Sequence, residues 1–112
     1  MEVPGGHGNK LWVLIFEMLG AALLIFTVNA SAHATSLEDL GGPDAFAVGL
    51  ALFAGICLFG DVSGAHFNPA VTLAVFIKEG KASNVGFMLM IWVAQIVGCI
   101  LGVTIAAGTQ HT

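Results

Sequence analysis

Three long apolar stretches, separated by short polar breaks, dominate the chain. The first, about residues 11–31, follows a polar and glycine-rich tail at residues 1–10. At ~1.5 Å per residue it is long enough to cross a ~30 Å hydrocarbon layer as a helix. A polar loop is expected from His33 to Pro43, carrying Glu38, Asp39 and a Gly-Gly-Pro break. Asp44 stands where a helix N-cap belongs, and a second span is expected over about residues 45–60. A third runs over about residues 84–107, and residues 109–112 form a short polar tail. Residues 11–108 thus read as one membrane domain.

Between the second and third stretches the pattern changes. Residues 61–67 look irregular, and about residues 68–77, "NPAVTLAVFI", look helical and apolar. About ten residues reach only halfway through a bilayer, so on length alone the segment fits a re-entrant half-helix or a short interfacial helix. Asn68 followed by Pro69 is a strong helix start: Asn caps orphan N–H groups, and Pro at the first position sacrifices no needed donor. Ala70 is small enough to let another element approach the cap. With the Asn68 oxygen committed to its own helix, the side-chain NH₂ is left to donate outward. A half-helix starting at mid-membrane would hold its positive dipole end there, which favours the lone pairs of a neutral solute and disfavours cations. The irregular run Gly64, Ala65, His66, Phe67 would carry carbonyls tolerated at that depth only inside protein or beside a watery cavity.

Composition changes the class. The chain is 57% hydrophobic and 9% charged, with a mean hydropathy of +0.94, which excludes an ordinary soluble domain and points to an all-α integral membrane protein. The net charge of −4 comes from few groups in tails and loops, and nothing forms a basic nucleic-acid surface. All three lysines, Lys10, Lys78 and Lys81, precede the first span or fall between the second and third. The positive-inside rule then places the N-terminus in the cytoplasm and the C-terminus outside. A secretory signal is disfavoured, because the first stretch exceeds a usual signal core and carries Glu17. The sequon Asn29-Ala30-Ser31 lies too near the membrane edge to carry weight. His7, His33 and His111 read as surface residues. No nucleophile–base pair and no metal-ligand spacing is visible, so neither an enzyme nor a bound metal or cofactor is expected. Cys57 and Cys99 read as small apolar residues within spans; a thiol reaching an aqueous path is the sharper alternative.

Two polar residues inside spans call for partners. Glu17 is costly there and has no arginine to pair with; it is expected to accept from backbone N–H groups around Ser63 to His66, with a proton relay as the competing idea. Gln95 is expected to bond the same loop. Ala94, Gly98, Gly102 and Ala106 fall four apart on one helical face and include a GxxxG pair, which predicts close helix packing without naming the partner.

The motif "SGAHFNPAVTLAVF" resembles the first signature of the major intrinsic proteins, the aquaporin and aquaglyceroporin family. "FEMLGAALLIF" is similar to that family's first helix with its glutamate, "VGLALFAGICLFGDVSGAHFNPAV" to its second helix through the re-entrant loop, and "WVAQIVGCILG" to its third helix. The resemblance implies three transmembrane helices plus one re-entrant half-helix, which is half of the family's inverted-repeat fold. It implies passive permeation of water or small neutral solutes such as glycerol, with ions and protons excluded. Asn68 would be the donor at the pore centre, followed by Pro69 and Ala70, with Gly64, Ala65, His66 and Phe67 as carbonyl-lining positions. Val48 stands where the second helix meets the outer constriction, and a Val there implies a wider or less water-strict pore.

The chain departs from the family in having no second NPA, no matching fourth to sixth span and no arginine. Three readings follow: the N-terminal half of a longer channel, a half-channel completed by a second chain of the same or another kind, or a non-conducting scaffold or accessory subunit. A tetramer-like oligomer in the lipid bilayer is the family habit.

Overall fold

The computed structural model describes residues 9–37 and 43–110. Among these described residues there are four α-helices: α1 (Lys10–Leu37), α2 (Ala45–Ser63), α3 (Pro69–Glu79) and α4 (Val85–Thr109), with a 3₁₀ turn over Ala82–Asn84. Three of them, α1, α2 and α4, are long and apolar enough to cross a membrane. The expectations for residues 1–8 with His7, for Glu38, Asp39 and the two glycines before Pro43, and for His111 lie outside the described residues.

Several helix ends differ from the hydropathy pattern. The first helix continues through His33 to Leu37, where a loop was expected. No glycine or proline interrupts residues 32–37, and polar side chains at a helix end are no obstacle to helix. Asn29 therefore sits in mid-helix, its amide donating to the Ile25 carbonyl. The second helix runs three residues past its expected end and stops at Gly64, whose φ of 84° supplies the left-handed turn and whose N–H closes on the Gly60 carbonyl at 2.9 Å. Asp44 caps its start, accepting from Phe46 N at 2.9 Å. The short helix α3 extends to Glu79 and ends the same way at Gly80, φ 67°.

The contacts fix the arrangement. Val13 clusters with Phe87 and Ile91 near the start of α1, Glu17 meets Gln95 one turn on, and Asn29 meets Gln110 at the far end. Helices α1 and α4 are therefore parallel. The second helix runs against them, because Asp44 N bonds Ser31 at its start and Ser63 bonds Glu17 at its end. The small-residue stripe packs on α1. A Cβ on Gly98 would collide with the Met18 carbonyl oxygen, and one on Gly102 would lie 2.5 Å from the Ala22 carbonyl oxygen and 3.0 Å from Phe26 N. Gly98, Gly102 and Ala106 are buried in this seam and Ala94 is half-buried. Outside it the helices show apolar side chains to their surroundings. Phe53 and Leu58 of α2 are 67% and 69% exposed, a surface suited to lipid and not to water.

Candidate pore-lining site

The connection from α2 to α3 is short and conformationally costly. After Gly64, Ala65 and Phe67 hold φ of 53° and 56°, left-handed values that cost a non-glycine residue ~1–2 kcal/mol each. Glu17 holds them. Its Oε2 accepts from the Ser63 hydroxyl at 2.8 Å and from His66 N at 3.2 Å. Its Oε1 accepts from Phe67 N at 3.0 Å and from Gln95 Nε2 at 2.9 Å. Four donors converge on one fully buried carboxyl group, filling the acceptor sites such a group offers. No cation is needed, since loop N–H groups and two side chains solvate it instead.

A second layer ties in the short helix. Gln95 Nε2 also donates to Thr72 Oγ1 at 2.9 Å, and Thr72 Oγ1 lies 3.1 Å from His66 Nδ1 and 3.3 Å from the Asn68 carbonyl. Thr72 and Gln95 are fully buried, and Gln95 Oε1 finds no partner among the described residues. Trp92 on α4 donates its indole N–H to the Pro69 carbonyl at 3.0 Å, pinning the first turn of α3 from its outer side.

These restraints present Asn68. Its extended backbone (φ −152°) and its Oδ1, which accepts from Ala70 N at 2.8 Å, start α3. Its NH₂ has no partner among the described residues, and the residue is exposed. It borders a groove of about 330 Å³ whose walls are Leu24, Ile25 and Val28 of α1, Val48 of α2, Phe67 and Pro69 beside it, and Cys99 of α4. The positive end of α3 opens on that groove.

Of the residues singled out in the sequence, Val48, Phe67, Asn68 and Pro69 therefore share one wall, while Glu17 and Gln95 meet behind it. Gly64, Ala65 and His66 are half-buried and Ala70 exposed; their atoms fall outside the groove lining. Ala94 instead borders a separate concavity of about 370 Å³ with Leu14, Leu89, Met90 and Val93, entirely apolar in its side chains. Sequence reasoning missed Thr72, Trp92, Gly20 and Gly55. Thr72, one helical turn after a capping Asn, carried a readable signal, whereas the other three become visible only through what they touch.

Three spans around a short helix whose capping Asn faces a groove define a membrane protein of the re-entrant-helix type. The chain belongs to the major intrinsic protein family, whose family model matches residues 7–112. It is 40% identical over 94 residues to Aquaporin-8 of Notomys alexis, covering 82% of this chain and 34% of that protein. It is 39% identical over 110 residues to Aquaporin-B of Dictyostelium discoideum, covering 92% of this chain and 37% of that protein. An Aquaglyceroporin of Toxoplasma gondii is 37% identical over 90 residues, covering 79% of this chain and 32% of that protein. The chain thus spans about a third of the length of these relatives. No solved structure is matched.

Proposed function

We propose that the groove is one wall of a pore for water or small neutral solutes such as glycerol. The observation that carries this reading is the Asn68 NH₂, an unpartnered donor at the positive end of α3 facing an otherwise apolar groove. Such an end holds a lone pair and repels a cation, so cations and protons are disfavoured. Of the run 64–67 only Phe67 lines this wall, so the carbonyls of Gly64, Ala65 and His66 are not part of the proposed strip, and Val48 sets the width at the outer side. Support for the solute class comes from the relatives named aquaporin and aquaglyceroporin.

The opposite wall comes from a second half carrying its own re-entrant helix, on further residues or on a second chain, and the completed units associate as tetramers. In this reading the N-terminus is cytoplasmic. Lys10 begins α1, Lys78 and Lys81 lie where α3 turns into α4, and the parallel register of α1 and α4 brings all three to one end of the bundle. The test is osmotic shrinkage of liposomes by stopped flow, with the chain alone and with a complementary half supplied. The expected result is water or glycerol permeability above empty vesicles when both halves are present, abolished by Asn68→Asp. Flux at the empty-vesicle level with every complement would sink the channel reading and favour a scaffold role.

A further inference from the structure

We propose that Gly20 and Gly55, neither of which lines the groove, set its bore by forming a socket for the Phe67 ring. The inference deepens the pore reading and rests on it for its meaning, although its test does not require transport.

Phe67 is the last residue before Asn68 and is held in a left-handed conformation, φ 56°. Its backbone N–H is fixed by Glu17 at 3.0 Å, and the residue is 5% exposed. One ring edge faces Gly20 of α1, where an added Cβ would collide with Cε1 and Cδ1. The opposite edge faces Gly55 of α2, where an added Cβ would lie 2.9 Å from Cε2. The end is closed by Phe59, edge to face at 6.2 Å and 90°. The ring is thus gripped on both edges and its sides have no slack. Phe67 also contributes to the groove wall beside Asn68. Phe67 lines the groove, so a ring pushed off Gly20 and Gly55 has the groove as an open side. One methyl group at position 20 would therefore narrow the groove and carry the Asn68 donor with it. These glycines are positioning residues that act through Phe67.

Cys99 is the built-in probe, since it lines the same groove. With the exposed Cys57 replaced by Ser, the labelling rate of Cys99 by N-ethylmaleimide in detergent reports the bore. Gly20→Ala should slow labelling several-fold, because the displaced ring narrows the approach to Cys99. Gly55→Ala should slow it less, because its Cβ position is less crowded. Phe67→Leu alone should speed labelling, and Phe67→Leu combined with Gly20→Ala should restore the parent rate. A merely structural glycine would lower the melting temperature with no such rescue of the Cys99 rate. Unchanged labelling in Gly20→Ala, or a double variant as slow as Gly20→Ala, would overturn the proposal. If Gly20→Ala fails to fold, Phe67→Leu decides: faster labelling upholds the socket and an unchanged rate refutes it. A chain that shows this pattern but passes no solute would remove the pore reading and leave the socket standing.

Discussion

Replacing Glu17 by Gln is the most searching single perturbation, because it keeps the shape and changes only what the group offers. The native carboxyl receives four donors and gives nothing. A glutamine amide has one acceptor oxygen and one NH₂, so two of the four donors must face another donor. Placing the new NH₂ at the Oε2 position costs least. There Ser63 can rotate its hydroxyl toward the Phe59 carbonyl, 3.3 Å away, and accept. His66 N, however, has no alternative. A stranded buried N–H costs ~1–3 kcal/mol, and the remaining bonds lose their charge assistance, for a total of about 2–4 kcal/mol. The other placement strands Phe67 N instead and requires Gln95 to turn its amide over, so it also leaves one loop N–H without an acceptor. The loss falls on residues already in left-handed strain, so it should appear as local opening before global unfolding.

The assay is hydrogen–deuterium exchange in detergent, read on peptides covering residues 63–69, alongside the thermal midpoint. Exchange at His66 and Phe67 should rise by ~30-fold or more, following from ~2 kcal/mol, while α4 peptides beyond Gln95 stay protected. Exchange in Glu17→Gln equal to the parent, with an unshifted midpoint, would refute the claim that this carboxyl group holds the loop. A uniform rise across all helices would instead place its role in global packing.

Three further variants separate the remaining contributions. Gly98→Val drives a branched side chain into the Met18 carbonyl and should cost about 3 kcal/mol or prevent accumulation in the membrane, read by thermal midpoint and yield. Asn68→Ala removes the cap bond to Ala70 N and should cost ~1 kcal/mol; a loss as large as that of Glu17→Gln would contradict the view that Asn68 presents a donor more than it secures the fold. Trp92→Phe deletes the bond to the Pro69 carbonyl and should cost ~1 kcal/mol, with faster exchange confined to the first turn of α3; unchanged exchange there would show the indole bond to be idle.

What could be read in advance depended on whether a residue's role was local. The Asn68-Pro69 start follows from cap chemistry within four residues, and α3 begins there. Glu17 was conspicuous because a carboxyl group in an apolar run must find donors, and an irregular segment of free N–H groups was the obvious supply. The far end of α1 differs from the expected loop because Ala32 to Leu37 suit helix or loop equally by sequence alone. The partner of the Gly98/Gly102 stripe could not be chosen, since α1 and α2 are equally apolar; the parallel register of α1 and α4 decides it. Gly20 and Gly55 resemble any glycines in membrane helices until the Phe67 ring is seen between them.

The division of labour between the two sides of α3 bears on what the groove requires. On the side toward α4, Thr72, Gln95, Glu17 and Trp92 meet polar groups with polar groups, leaving Gln95 Oε1 unpaired among the described residues. The side toward the groove offers the Asn68 NH₂ and leaves the rest of the wall to Leu24, Ile25, Val28 and Val48. Lipid covers Phe53 and Leu58 at no cost, but acyl chains offer nothing to an amide N–H or to the positive end of a helix, and each such group left bare in hydrocarbon costs several kcal/mol. The groove face must therefore meet water or protein. A protein side chain seated against Asn68 would satisfy it permanently, and then the loop strain at Ala65 and Phe67 would serve only to bury one more hydrogen bond. Strain held by a four-donor carboxyl group is better accounted for by a donor kept available, facing a wall too apolar to bind a small solute tightly. On the pore reading proposed above, entry is favoured by one hydrogen bond and exit is opposed by little more, the balance that passage through a narrow site demands.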